Sequence, residues 1–307
     1  MNSVLNFFSQ LIKESLSCTW RLFKIMIPAL IIIKILQALG AVDYLSQVMA
    51  PVMNWVSLPA ELSLVYASTL LINIYAGIMV ISSMDGHFTV SQISILGGMM
   101  LISHALPVEG AIGRAAGCPW FVSIPQRLVA SFLFGFILSS IYRYTGFGQE
   151  ACCLAVNMQQ QDASLYGWAL LQLKGLGLIF SVIVALVFIL KLLKILKIEK
   201  LIGLLLSPAL RLLGMAKSAT NVTIIGITLG LTYGGGLLIA ESKKGVIKKE
   251  DMFVAIILLN MLHSLIEDTL LVILMGADFH SVFFGRIVYA IILTSIISWV
   301  YRKYWSR

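Results

Sequence analysis

A histidine followed five residues later by a carboxylate occurs twice in this chain, each time inside an apolar stretch: His104-Ala105-Leu106-Pro107-Val108-Glu109 and His263-Ser264-Leu265-Ile266-Glu267-Asp268. The second histidine lies 159 residues after the first. Leucine holds the third place in both, and Arg127 and Arg286 stand at the same offset. With only four histidines in the chain, two in register point to a duplicated element. Three kinds of chemistry fit such a group in an apolar setting. A His–carboxylate pair can relay protons and couple transport to a proton gradient. Imidazole and carboxylate can also ligate a divalent metal. The pairing can be purely structural, with Arg114 and Arg127 neutralising Glu109. On a continuous helix His263 and Glu267 share a face, whereas Asp268 projects about 100° away. His104 and Glu109 straddle Pro107, which kinks or ends a helix.

The elements that must position these groups are membrane spans. Of 307 residues, 59% are hydrophobic and 12% charged, outside the range of ordinary soluble domains. Apolar runs of about 18 residues or more, each enough to cross a hydrocarbon core of ~30 Å, recur from end to end. The formal charge of +8 therefore reports orientation and contact with anionic lipid, and nucleic acid is not an expected partner. The four cysteines, Cys18, Cys118, Cys152 and Cys153, lack C-x-x-C or metal-knuckle spacing and read as plain thiols.

In chain order, residues 1–19 have an apolar face at Phe8, Leu11, Ile12 and Leu16, with Lys13 and Glu14 between; this predicts an interfacial helix. Residues 20–145 form a first repeat. Its spans are Leu22–Leu39, Leu62–Ser82, Val90–Leu106 and Leu128–Tyr142, with an amphipathic Tyr44–Leu58 broken by Pro51 and a hairpin or broken helix over Glu109–Gln126. A polar linker, 146–165, follows. Residues 166–307 repeat the programme, with spans at Tyr166–Leu190, Ala219–Ala240, Met252–Met275 and Val282–Trp299 and an amphipathic Leu201–Gly214 holding Pro208 where the first half has Pro51. Tyr75-Ala76-Gly77 answers Tyr233-Gly234-Gly235.

Equivalent loops carry opposite charge. Lys243–Lys249, the lysines at 191–200 and the tail Arg302-Lys303-Arg307 are basic, whereas Ser83–His87 and Ala41-Val42-Asp43 are not. By the positive-inside bias this predicts inverted topology, residue 86 outside and residue 245 inside, and hence an odd number of crossings per half. Counting the proline-broken segments gives five per half and about ten in all, with Tyr44–Leu58 and Leu201–Gly214 either crossing fully or dipping in and returning.

Inverted repeats with broken or re-entrant helices place a substrate at the midplane, where unwound backbone offers polar groups. Leu62–Ser82 and Ala219–Ala240 are the expected gate helices. Asn73, Tyr75, Asn221, Thr223 and Tyr233 are the candidate solute-binding residues, and His104, Glu109, Arg114, His263, Glu267 and Asp268 the candidate coupling or gating residues. Gly226, Gly230 and Gly234, four apart, form a stripe that permits close helix approach or simply packing, and Gly235-Gly236 can unwind the end. Asn73 and Asn221 are expected to approach each other. No phosphate-binding loop, H-E-x-x-H or nucleophile elbow occurs, so neither an enzyme nor ATP-driven transport by this chain is expected. No cofactor is implied.

Met49-Ala50-Pro51-Val52 and Leu206-Ser207-Pro208-Ala209, each followed by a glycine-bearing span, resemble the gate motif of nucleoside-recognition membrane proteins. That family includes spore maturation proteins and shares gate segments with concentrative nucleoside transporters and ferrous iron permeases. The resemblance runs over roughly residues 20–300 and implies a paired-gate, transporter-like fold with the substrate left open. Two departures weigh against iron. The cytoplasmic GTPase of the iron permeases is absent, and neither gate span holds the cysteine found in theirs.

The expectation is an all-α, multi-pass bundle of two inverted gate repeats in a bacterial cytoplasmic membrane. It acts as a secondary transporter or permease for a nucleoside-like or other polar solute. A divalent-metal permease and a non-transporting scaffold or accessory subunit are the alternatives. Expected partners are the solute and membrane lipid, with a homo-oligomer left open.

Overall fold

The computed structural model describes residues 2–84, 86–152, 164–230, 236–237, 239–241 and 247–304. Among these the regular elements are all helices, as the apolar runs predict. The first half contains α1 (Asn2–Ala38), α2 (Ala41–Trp55), α3 (Leu62–Leu71), α4 (Ile74–Ser82), α5 (Val90–Ser103), α6 (Leu106–Ala115) and α7 (Trp120–Thr145). The second contains α8 (Leu165–Ile195), α9 (Ile198–Leu212), α10 (Lys217–Leu229), α11 (Lys249–Leu262), α12 (Glu267–Leu274), a π-helical turn His280–Gly285 and α13 (Arg286–Tyr304).

Among the described residues six stretches are long and apolar enough to cross a membrane: Phe7–Ile32, Val90–Ala115, Trp120–Thr145, Leu165–Ile195, Lys249–Leu274 and His280–Tyr304. Two of them, Val90–Ala115 and Lys249–Leu274, are the inner helices of the bundle, each 72% buried against the protein itself. Leu165–Ile195 is only 17% buried and shows Leu170, Leu173, Phe188 and Ile189 outward, as a lipid-facing helix must. Of the two options for the proline-broken segments, crossing or re-entry, their lengths favour re-entry. α2 and α9 have 15 residues each, about 22 Å of helix, which falls short of a ~30 Å hydrocarbon core. Nor does a break set residues 1–19 apart, because α1 runs unbroken from Asn2 to Ala38.

The duplication is legible in local geometry. α2 and α9 each start from a left-handed residue, Gly40 (φ 71°) and Lys197 (φ 57°), and each carries its proline inside the helix. The gate span of the first half is broken as expected. α3 stops at Leu71, and Asn73 restarts the chain as the N-cap of α4, accepting a hydrogen bond from the Ala76 N–H at 2.9 Å. In the second half α10 ends at Gly230, whose φ of 87° only glycine adopts without strain. Gly226 of the expected glycine stripe packs against Leu259 of α11, and Gly234 lies outside the described residues.

Both inner spans are also broken, and at equivalent places. α5 gives way to α6 through His104 and Ala105 (φ 49°), and α11 gives way to α12 through His263 and Ser264 (φ 46°). A positive φ at alanine or serine costs of order 1–3 kcal/mol and persists only where the surroundings fix it. They do so here. The Ala105 N–H donates to Thr69 O in the last turn of α3 (3.0 Å), and the Leu265 N–H to Ile227 O in the last turn of α10 (2.9 Å). Each inner break is thereby stitched to the C-terminal end of its own half's gate helix.

Candidate functional site

The two breaks meet. His104 and His263 are 6% and 1% exposed, and their Nε2 atoms lie 3.1 Å apart. Each Nδ1 faces a backbone carbonyl one turn back in its own helix, Met100 O at 3.1 Å and Leu259 O at 2.7 Å. A carbonyl only accepts, so this network puts the ring proton on Nδ1 in both cases and turns the Nε2 lone pairs toward each other.

The carboxylates that join them are Glu109, in the first turn of α6, and Asp268, in the first turn of α12. A negative charge is favourable at a helix N-terminus, where unpaired N–H groups gather. Glu109 Oε1 lies 3.1 Å from His104 Nε2 and 3.0 Å from His263 Nε2. Asp268 Oδ2 lies 3.4 Å from His104 Nε2 and 4.0 Å from His263 Nε2. The expectation that Glu267 shares a face with His263 fails because no helix connects them. The chain leaves helical geometry at His263 and restarts at Glu267, so Asp268, the fifth residue on, takes the inward position as Glu109 does. Glu267 is half-buried and pairs with neither histidine.

Two fully buried arginines close the site from behind. Arg127 Nε donates to Ile102 O and Nη2 to His104 O, both at 2.8 Å. Arg286 repeats this on Met261 O (2.7 Å) and His263 O (2.8 Å), and reaches across to Leu101 O (3.1 Å) in the other half. They satisfy the orphan C-terminal carbonyls of α5 and α11 and offset the negative end of each helix. Here the halves diverge. Arg127 Nη1 stands 2.5 Å from Glu109 Oε2, as an ion pair rather than an aligned hydrogen bond, whereas the shorter Asp268 makes no ion pair with Arg286. Their shared offset was the available sequence signal; their role as carbonyl clamps was not legible from it. The joint between halves continues in Asn260, wholly buried, which donates to Ser123 Oγ (3.0 Å) and Gln126 Oε1 (2.9 Å), and in Tyr289, which donates to Ala130 O (2.7 Å).

The remaining candidates lie elsewhere. Arg114 is exposed, its guanidinium 5.5 Å from the centre of the Trp120 ring, so it does not neutralise Glu109; Arg127 does. Asn73 is engaged as a helix cap, and Asn221 is exposed on α10, so the two amides are not joined. The reason is rotation: capping turns the Asn73 oxygen back along its own chain, and the buried face of α10 is taken by Val222 and Thr223. Thr223 donates to Ala219 O within its helix. Tyr75 lines a small apolar cavity with Ile78, Leu178, Ile179, Leu274 and Met275, and its hydroxyl lacks a partner among the described residues. Tyr233 lies outside the described residues.

Apolar spans with broken inner helices that meet at a buried polar centre define the class, a multi-pass membrane protein. Residues 19–118, about a third of the chain, match the family model described as Gate, nucleoside recognition. Across nearly its whole length the chain is similar to the uncharacterized membrane protein YvoD of Bacillus subtilis (strain 168), at 27% identity over 289 residues, covering 93% of this chain and 92% of the relative. No solved structure matches the chain.

Proposed function

We propose that this protein is a gate-domain secondary transporter or permease of a bacterial cytoplasmic membrane. It moves a nucleoside-like or other polar solute, with the His104–Glu109–His263–Asp268 cluster as its coupling and gating centre. The observation that carries the reading is the cluster itself. Four ionisable groups meet a little past the middle of two interrupted spans, held by elements from both halves, and ionisable groups at that depth are expensive unless they serve a pathway. The solute class rests on the gate domain of residues 19–118. The test is uptake by purified protein in liposomes. An imposed proton gradient should drive entry of one member of a panel of nucleosides and other polar metabolites, and preloaded vesicles should exchange it. Absence of both, with protein shown to be folded and inserted, sinks the proposal.

Inverted topology belongs to the same reading. Three long spans per half is an odd number, and α2 with the broken gate helices can enter and return on one side. This puts Lys191–Lys200 and Lys248–Lys249 inside and Gly86 outside. Single cysteines at Gly86 and Lys248 are expected to react with an impermeant maleimide from opposite faces of oriented cells. Labelling of both from one face means that the repeats are parallel.

A further inference from the structure

We infer that the cation handled by this centre is a divalent first-row metal ion, of the Zn2+, Fe2+ or Mn2+ type, held by His104 Nε2, His263 Nε2, Glu109 Oε1 and Asp268 Oδ2. The inference rests on the reading of the cluster as the working centre and adds the chemical class of its ligand. It stands on three observations.

The first is the direction of the lone pairs. Both histidine protons are committed to carbonyls, Met100 O and Leu259 O, so two imidazole lone pairs and two carboxylate oxygens converge with no donor among the four. Acceptors packed at about 3 Å repel one another unless a proton or a metal cation sits between them. Asp268 Oδ2 is the clearest case: on a residue 8% exposed, it faces both histidines and finds no hydrogen-bond partner among the described residues.

The second is size. Metal–ligand bonds of ~2.0–2.1 Å in a tetrahedron separate the ligand atoms by about 3.3 Å. His104, His263 and Asp268 bring their ligand atoms within 4.8 Å of one another, and Glu109 Oε1 lies 3.1 and 3.0 Å from the two histidine nitrogens, spacings of the size a tetrahedral ion needs.

The third is the supporting layer. Metal-bound histidines donate their other ring N–H to a carbonyl or carboxylate, and ligating carboxylates are held from behind. Both histidines meet the first condition, and Arg127 meets the second by taking Glu109 Oε2 while leaving Oε1 to the centre. Arg127 divides its guanidinium between Glu109 and the carbonyl end of α5, whereas Arg286 is held by carbonyls at the ends of α5 and α11. Imidazole with carboxylate and no thiolate selects against Cu(I) and in favour of borderline ions. Each half supplies one histidine and one carboxylate, so the site exists only when both repeats are present.

The experiment uses full-length protein in detergent micelles, tag removed and chelator-stripped, dialysed against Zn2+ or Co2+ and analysed for metal. One ion per chain is expected, and bound Co2+ should give the intense visible bands of a tetrahedral N/O environment. Glu109→Gln and Asp268→Asn, which keep side-chain shape, should each weaken binding by at least the about 10–100-fold that a disturbed ligand environment costs. His280→Ala should leave stoichiometry unchanged, because that exposed histidine, 3.6 Å from Asp278, lies outside the cluster. If a variant does not fold, the wild-type Co2+ spectrum decides alone. Wild type that binds no stoichiometric ion, or gives an octahedral Co2+ spectrum, overturns the inference. Proton-driven solute uptake by such metal-free protein would leave the transport proposal standing. Metal that enters vesicles with turnover identifies a cargo ion, and metal retained through turnover a resident one; either supports the site.

Discussion

Arg127→Met is expected to cost more stability than any other single substitution at the centre, about 3–5 kcal/mol, the usual result of removing one partner of a buried ion pair. Arg127 is wholly buried and serves three acceptors: Ile102 O, His104 O and Glu109. Its loss strands a carboxylate and reopens the carbonyl end of α5. Arg286→Met is the internal control. Arg286 is as buried and holds three carbonyls, but no ion pair joins it to Asp268, so its removal leaves carbonyls short of a donor and strands no charge. Unfolding in mixed micelles should therefore rank Arg127→Met below Arg286→Met. The double variant Arg127→Met/Glu109→Gln should recover part of the difference, since the stranded charge is gone. Equal losses in the two arginine variants, with no recovery in the double, would show that the Glu109 ion pair is not what sets the cost.

The second large effect concerns which carboxylate works. Glu109→Gln and Asp268→Asn should each reduce gradient-driven solute uptake by about 10-fold or more, the lower end of what outer-shell changes cost at metal centres. Exchange between preloaded vesicles should be hit far less, because it needs the pathway but not the coupling. Glu267→Gln should stay within a few-fold of wild type. The three residues lie within or beside one cluster, so general damage would lower all three together. Asp268 faces His104 at 3.4 Å, whereas Glu267 pairs with neither histidine. A profile in which Glu267→Gln is the most impaired would return the centre to continuous-helix geometry and contradict the break at His263.

Much of this molecule is written locally. Apolar runs fix membrane insertion and the helical class, because a backbone in hydrocarbon must satisfy its own hydrogen bonds. The offset of 159 residues between His104 and His263, and between Arg127 and Arg286, fixes the duplication. Pro107 announces the first inner break, since proline cannot donate within a helix and belongs at its start, where the structure places it in α6. The second break has no such mark. Nothing in His263-Ser264-Leu265-Ile266 stops a helix, and a left-handed serine is locally unfavourable. It is the tertiary structure that makes it stable, through the Leu265 N–H on Ile227 O and the Arg286 guanidinium on Met261 O and His263 O. From that break follows the choice of Asp268 over Glu267, one residue apart in sequence and on different sides of the chain in space. The meeting of the histidines is likewise a long-range outcome. Sequence places one in each half, and only the packing of two broken helices against each other brings their Nε2 atoms to 3.1 Å.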